Sequence, residues 1–368
     1  MEKIKILMVS SSGELGGGPI LMYTLGNGLC SEFEVFYAIP ENKLFKSFLT
    51  KKENILNISE RKIALPDLLR LVRFIDMNSI DIIHAHGKGA GFISRIIKLF
   101  VRKPLIYSFH GIHLKCLNFK QKILYILLEN LLGLLDDFKI LSSKSEKIYA
   151  KKSFIRIGKN HLIINNGVKN KQIKSYIRSE KFNKINSENY KIKVISICRF
   201  VKQKNISEIV DLARLIPNCK FYIIGSGTLF EDIKFKKEKY NLQNLFLLGK
   251  KNNILKYLYE SDLYLSTSFY EGLPISTLEA MSIGLPVISS DVTGNKDTII
   301  HGESGFLYKL GNLNKASYYI NLFSTNKNLL SQMGEKSYER QRKNFSFEDM
   351  CEITSELYKK IYKKNKNS

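Results

Sequence analysis

Short runs of β-branched and aliphatic residues recur along the chain, each closing on Gly, Ser or Asn before a stretch with helical spacing begins. In the first half they fall at Ile4 to Ser10, Val35 to Ala38, Ile82 to His84, Leu105 to Ser108, Phe138 to Leu141 and Ile163 to Asn165. Buried strands alternating with helices predict a parallel sheet covered on both faces. After Asn166-Gly167 the polar stretch NKQIKSYIRSEKFNKINSENY has little to bury and reads as a linker. The rhythm then restarts with KVISI at Lys193 to Ile197, followed by FYIIG, LFLLG, LYLST, PVISS and GFLY, which predicts a second parallel sheet. Near the end, Phe347, Met350, Ile353, Leu357 and Ile361 share one helical face. The expected division is an N-terminal domain over 1–170, a linker over 171–190, a second domain over 191–345 and a terminal helix over 346–368 that packs back on the first domain.

A length of 368 residues suits two cores, and 44% hydrophobic with 25% charged residues is a globular composition. The cysteines at 30, 116, 198, 219 and 351 are odd in number and never spaced C-x-x-C, which argues against a disulfide framework or a zinc site and favours a reducing compartment. The apolar start of the chain is too short for a signal peptide. Its longest greasy segment, Ile123 to Leu135, carries Glu129 and Asn130 and falls short of the roughly 20 residues of a membrane span. The expectation is therefore a cytoplasmic protein.

The net charge of +24 invites an anionic partner, and the two halves share it: residues 1–169 hold 26 basic and 14 acidic residues, leaving 32 and 20 for the rest. Lys88 to Lys122 holds eight basic residues and no acid, with ISRIIKLFVRK inside it reading as an amphipathic helix. That window is the expected contact with an anionic membrane surface; a solvated basic face is the plainer reading. No basic-aromatic recognition module is present, so nucleic acid is not an expected partner.

Doubly wound domains bind ligands in the crevice beyond the carboxyl ends of their strands. Two segments there carry chemistry. In SFYEGLPISTLEAMSIGLPVISSD, Glu271 and Glu279 flank a tight turn at Gly272-Leu273-Pro274 and a helix beginning at Ile275. The helix start offers backbone N–H groups at Leu273, Ile275, Ser276 and Thr277 to a phosphate, while a carboxylate suits the paired hydroxyls of a sugar. In ISICRFVKQKN, Arg199 and Lys204 follow a strand and would offset the charge of a leaving diphosphate. Alone, the first segment reads better as a solvated helix start and the second equally well as two surface cations; together they point to a nucleoside diphosphate sugar.

In this pattern the chain resembles the GT-B retaining glycosyltransferases of family 4, the glycosyl transferases group 1. The resemblance rests on GELGGGPI, DIIHAHG, SFHG, INNGV, CRFVKQKN, IIGSG, the Glu-(x7)-Glu segment, GLPVISSD and HGESGFL, in that order. It implies an α/β fold of two facing Rossmann-like domains, with the terminal helix crossing back to the first. It also implies that Glu279 binds the ribose, Glu271 contacts the donor sugar and Arg199 and Lys204 hold the diphosphate. Gly16 and Gly17 match the phosphate-facing glycine loop, Gly225 the IIGSG turn, and His110 the histidine near sugar and acceptor. Asp297 stands where the family has a Glu, which obscures donor preference, and Cys198 stands where Gly is usual, a change of packing. The resemblance further implies transfer with retention from a nucleotide sugar, with UDP expected, to a glycan or polyprenyl-linked acceptor of O-antigen or capsule type.

His84 and His86, two residues apart on a strand, are expected to point to opposite faces and to be structural. No metal or other cofactor is expected. The alternatives are an NAD-dependent Rossmann oxidoreductase or epimerase, against which stands the lack of G-x-G-x-x-G at either first helix, and a basic membrane-surface binding protein.

Overall fold

The computed structural model describes residues 3–14, 16–41, 54–62, 64–112, 114, 117–170 and 191–367. The linker read over 171–190 lies outside the described residues. Two compact units divide the chain, one comprising 1–166 with 347–368 and the other 167–346. The division falls after Asn166, because Val168 is bridged to Ser346 and its carbonyl accepts from the Gln341 amide at 3.1 Å.

The N-terminal unit is built on a parallel sheet in the order β3-β2-β1-β4-β5-β6-β7. Its strands are β1 Ile4–Val9, β2 Phe33–Pro40, β3 Ile55–Ile58, β4 Ile82–His86, β5 Leu105–Ser108, β6 Phe138–Leu141 and β7 His161–Ile163. The order reverses between β1 and β4, which opens a crevice at their carboxyl ends. The central strands are buried on both faces, as in Ile6–Val9, and this explains their unbroken apolar runs. Two strands depart from the sequence reading. β7 begins two residues earlier than Ile163, and β3, a short ILNI segment with a polar residue inside it, shows no recognisable period.

The helix Phe347–Lys366 belongs to this unit and packs on the helix Gly17–Leu29, where Gly28 leaves room for Phe347 and Cys351. Its buried face is Phe347, Met350, Thr354, Leu357 and Tyr358, whereas Ile353 is 40% exposed. Tyr358 reaches the sheet: its ring meets Phe33 edge-on at 5.5 Å, and its hydroxyl lies 2.5 Å from His84 Nδ1.

The second unit has a parallel sheet in the order β10-β9-β8-β11-β12-β13. Here β8 is Lys193–Ile197, β9 Lys220–Ile224, β10 Leu245–Leu247, β11 Leu263–Ser266, β12 Val287–Ser290 and β13 Gly305–Tyr308. The order reverses between β8 and β11. Among the described residues no helix is long and apolar enough to cross a membrane.

Candidate functional site

In the second unit, three loops leaving the adjacent strands β8, β11 and β12 are stitched together at the switch point. Thr267 Oγ1 lies 3.0 Å from the carbonyls of both Lys204 and Asn205, and Phe269 N–H donates to the Gln203 carbonyl at 2.9 Å. Glu271 N–H donates to the Thr293 carbonyl at 3.0 Å, which ties in the loop after β12. Gly294 (φ +84°) lies so close beneath Glu271 and Gly272 that a Cβ would collide with their backbone.

This stitching fixes the carboxylate of Glu271, which is 7% exposed. Its Oε1 accepts from Lys204 Nζ at 2.5 Å and from Ser268 Oγ at 2.6 Å, and its Oε2 faces Gln203 Nε2 at 3.4 Å. The fold thus brings together two residues that lie 67 positions apart in the chain. One oxygen is heavily engaged and the other lightly, leaving lone pairs for a hydroxyl-bearing ligand.

Beside this pair begins the helix Ile275–Ser282, with Leu273 and Pro274 buried beneath its start. Pro274 is the N-cap, one position ahead of the first helical turn, and no side chain caps the helix. The first backbone bond runs from Leu278 N–H to the Pro274 carbonyl at 3.2 Å. The preceding amides, those of Ile275, Ser276 and Thr277, are the donors that a helix start leaves for an anion. Thr277 Oγ1 is buried without a partner, a donor that sequence reading did not single out. Ser276 Oγ lies 2.8 Å from the Tyr264 hydroxyl. Glu279 sits a turn further along and is half-buried, as is Arg199 on the loop directly after β8.

Gly225, with φ +146°, is pressed so tightly on the Cys198 carbonyl that no side chain fits. Burial pushes the Cys198 thiol up to about 12, which favours its protonated form. Asp297 lies on the short helix Asn295–Thr298, whose end is held by Arg340 through the carbonyls of Asp297 and Thr298 at 2.7 Å.

In the N-terminal unit, the switch point collects three histidines. Contrary to the sequence expectation, His84 and His86 share one face of β4, with ring centroids 4.0 Å apart. Alternate residues of a strand point the same way, so spacing of two is the spacing that brings rings together. His84 is held between Tyr358 and Ser108 Oγ, the latter 2.8 Å from Nε2. His86 Nδ1 bonds His110 Nε2 at 2.9 Å with the rings stacked, and the buried His86 Nε2 has no partner. These rings line a cavity of about 20 Å³ with Ser142, Asn166 and Thr354.

His110 adopts left-handed backbone, φ +53°, a strained setting for a non-glycine residue. What holds it is Glu146, fully buried, which accepts from Gly111 N–H at 2.6 Å and from the Ser142 amide and hydroxyl at 2.7 and 2.8 Å. Of the glycine loop, Gly16 caps the helix Gly17–Leu29 and Gly17 begins it, but Gly18 is the residue facing His110, its would-be Cβ 3.9 Å from the ring. Neither Glu146 nor Gly18 was legible, since both act by position. Among the described residues no three metal-binding side chains gather as a site.

Burial pushes all three imidazoles down, His84 to about 3 and His110 to about 4, with His86 also well below the ordinary 6.5. The unfolded chain then binds more protons than the native unit below pH 6.5, so stability is full above that value and declines as pH falls. The expected loss approaches about 1.4 kcal/mol per pH unit for each histidine. Protection factors of β4 and β5 amides at pH 7 and pH 5 measure it; unchanged protection would contradict neutral, buried rings.

Comparison with known proteins bears on the class and fold of this chain. Residues 177–340 match the family model described as glycosyl transferases group 1. A UDP-Gal:alpha-D-GlcNAc-diphosphoundecaprenol alpha-1,3-galactosyltransferase of Escherichia coli is 29% identical over 271 residues, covering 68% of this chain and 67% of that protein. The capsular polysaccharide biosynthesis glycosyltransferase CapM of Staphylococcus aureus is 22% identical and covers 82% of each chain. Anabaena Alr3699/HepE, solved in complex with UDP and glucose, superimposes with a TM-score of 0.83 at 18% identity over 97% of this chain and all of that one. At that identity the likeness speaks for the fold alone.

Proposed function

We propose that this chain, a glycosyltransferase of GT-B fold, moves a hexosyl or N-acetylhexosaminyl group from a UDP-sugar to a glycan or lipid-linked acceptor during assembly of an O-antigen or capsule-type polysaccharide. The finer assignment is family 4, with retention of configuration. The observation that carries the reading is the Lys204–Glu271 pair set beside the uncapped start of Ile275–Ser282. A donor is a dianionic linkage attached to a ring of hydroxyls, and the site offers a cation and open amides next to a fixed carboxylate. The relative from Escherichia coli is named for a UDP-linked donor and a diphosphoundecaprenol-linked acceptor, and this supports the choice of both.

In this reading Lys204, Arg199 and the amides of Ile275 to Thr277 take up the negative charge that grows on the departing diphosphate, which assigns to side chains and backbone what a divalent ion does elsewhere. Glu271 orients the sugar and stabilises positive charge at the anomeric carbon. Glu279 binds the ribose. The acceptor hydroxyl attacks from the face that the nucleotide leaves and gives its proton to a departing phosphate oxygen. The resemblance assigns neutral His110, which bonds His86, to the neighbourhood of donor sugar and acceptor hydroxyl.

A thermal-shift and nucleotide-release panel of UDP-galactose, UDP-N-acetylglucosamine, UDP-glucose, GDP-mannose and NAD tests the reading. A UDP-sugar at 100 times its Kd should add about 2.7 kcal/mol, and release should persist in chelator. Stabilisation by NAD with none by UDP or GDP would overturn it in favour of the oxidoreductase.

A further inference from the structure

The helix Phe119–Leu132 in the N-terminal unit is inverted. Its inward face carries Tyr125 and the charged Glu129, both buried, while Leu124, Leu127 and Leu131 are 58, 62 and 64% exposed. These three recur at i, i+3 and i+7, so they form one outward stripe. Leu134 extends it at 72% exposure. The orientation is enforced, since Glu129 is gripped by Arg95 through two bonds of 3.0 and 2.7 Å.

A second element continues the patch. Asn130 donates to the Phe154 carbonyl at 2.8 Å and accepts from Arg156 N–H at 2.7 Å, which fastens that loop against the helix. Phe154 is 81% exposed and held in left-handed backbone, φ +59°. An aromatic ring kept in a strained conformation and pointed at solvent has no folding role of its own. Around it the charge is one-sided. From Lys144 to Lys159 the chain carries six basic residues against the single acid Glu146, which is fully buried, and Lys151, Lys152 and Arg156 are exposed.

The window Lys88 to Lys122 overlaps this helix at Phe119 to Lys122, and its upstream helix, Lys88–Lys98, is the weaker membrane surface. Arg95 is 2% exposed and neutralised, Lys98 pairs with Asp137, and Lys88 lies over the Tyr125 ring.

We propose that the leucine stripe of Phe119–Leu132, with Phe154 and the cations Lys151, Lys152 and Arg156, docks this protein on an anionic phospholipid surface. The apolar side chains enter the interface and the cations meet the headgroups. A second copy of the chain is the poorer occupant, because it would set one basic rim against another. The surface lies wholly within the N-terminal unit and stands apart from the choice of donor and acceptor.

Flotation of the full chain with vesicles tests this. Binding is expected to phosphatidylcholine vesicles containing phosphatidylglycerol and not to phosphatidylcholine alone, weakened by salt. Leu127→Gln with Leu131→Gln, and separately Lys151→Glu with Lys152→Glu, should each reduce partitioning at least about tenfold. All substituted side chains are exposed, and unchanged donor-induced thermal shifts would show that fold and donor site persist. No flotation on phosphatidylglycerol, or flotation insensitive to either pair, overturns the proposal. So does a dimer in size-exclusion with light scattering that the leucine pair abolishes without any vesicle binding, which would assign the face to self-association.

Discussion

Glu271→Gln should lower kcat by about 10²- to 10³-fold while leaving the fold intact, the range seen when one preorganised electrostatic group is removed from a transition state. Glutamine preserves the shape and can still accept from Lys204 and Ser268, whose contacts at 2.5 and 2.6 Å define the position of Oε1. What it removes is the charge. Lys204→Ala is a different experiment, because it takes the cation from the phosphate side and also strands a carboxylate that is 7% exposed. Breaking a fully buried pair costs about 3–5 kcal/mol. Lys204 retains 16% side-chain exposure, so water recovers part of that. The double variant Lys204→Met, Glu271→Gln separates the two effects: its Tm should approach the parent's while transfer stays low. Initial rates of nucleotide release with saturating donor, set beside calorimetric Tm values, decide the matter. A Glu271→Gln enzyme with near-parental kcat would remove the residue from the reaction.

This pairing shows where sequence reading runs out. Both residues were legible as candidates, since each follows a predicted strand. Their contact was not, because it exists only if β8 and β11 are neighbours, and strand order is set by long-range packing that no local period records. The histidines of β4 failed for a simpler reason. Their spacing of two was assigned to opposite faces, although the pleat puts such residues on one face. The result is a stack running from His84 through His86 to His110. Glu146 was invisible for a third reason, being one polar residue on a helix until its carboxylate is seen beneath the His110 turn. The segment from Ile123 to Leu135 was correctly too short to span a bilayer. Its polar pair, though, marked something that hydropathy does not encode: the acid faces in and the leucines face out.

That inversion depends on Arg95, and Arg95→Ala should destabilise the N-terminal unit by about 3–5 kcal/mol. The guanidinium is 2% exposed and engages two carboxylates at once. Nε and Nη2 reach Asp136 at 2.8 and 2.7 Å, and the two terminal nitrogens hold Glu129. Its carbon centre also lies 4.3 Å from the Tyr107 ring centroid. Lys139 is the other cation near Asp136, at 3.6 Å, so the cluster of two acids and two bases is balanced until Arg95 is removed. Burial already raises the Asp136 carboxyl, with Arg95 the main opposing influence. In the variant that carboxyl should rise further and bind a proton more readily than in the unfolded chain. A raised folded-state value means stability that is present at low pH and lost as pH climbs through it. The gap between parent and Arg95→Ala should therefore narrow from pH 7.5 to pH 5, even though the buried histidines weaken both proteins over the same interval. Urea denaturation of the pair at the two pH values measures the gap directly. Removing one cation and one acid together, as in Arg95→Met with Glu129→Met, should recover much of the lost stability, since Asp136 then keeps the buried Lys139 as its partner. A gap that is constant with pH, or a double variant no better than the single one, would show that Arg95 acts through its packing on Tyr107 and not through the carboxylates that turn this helix.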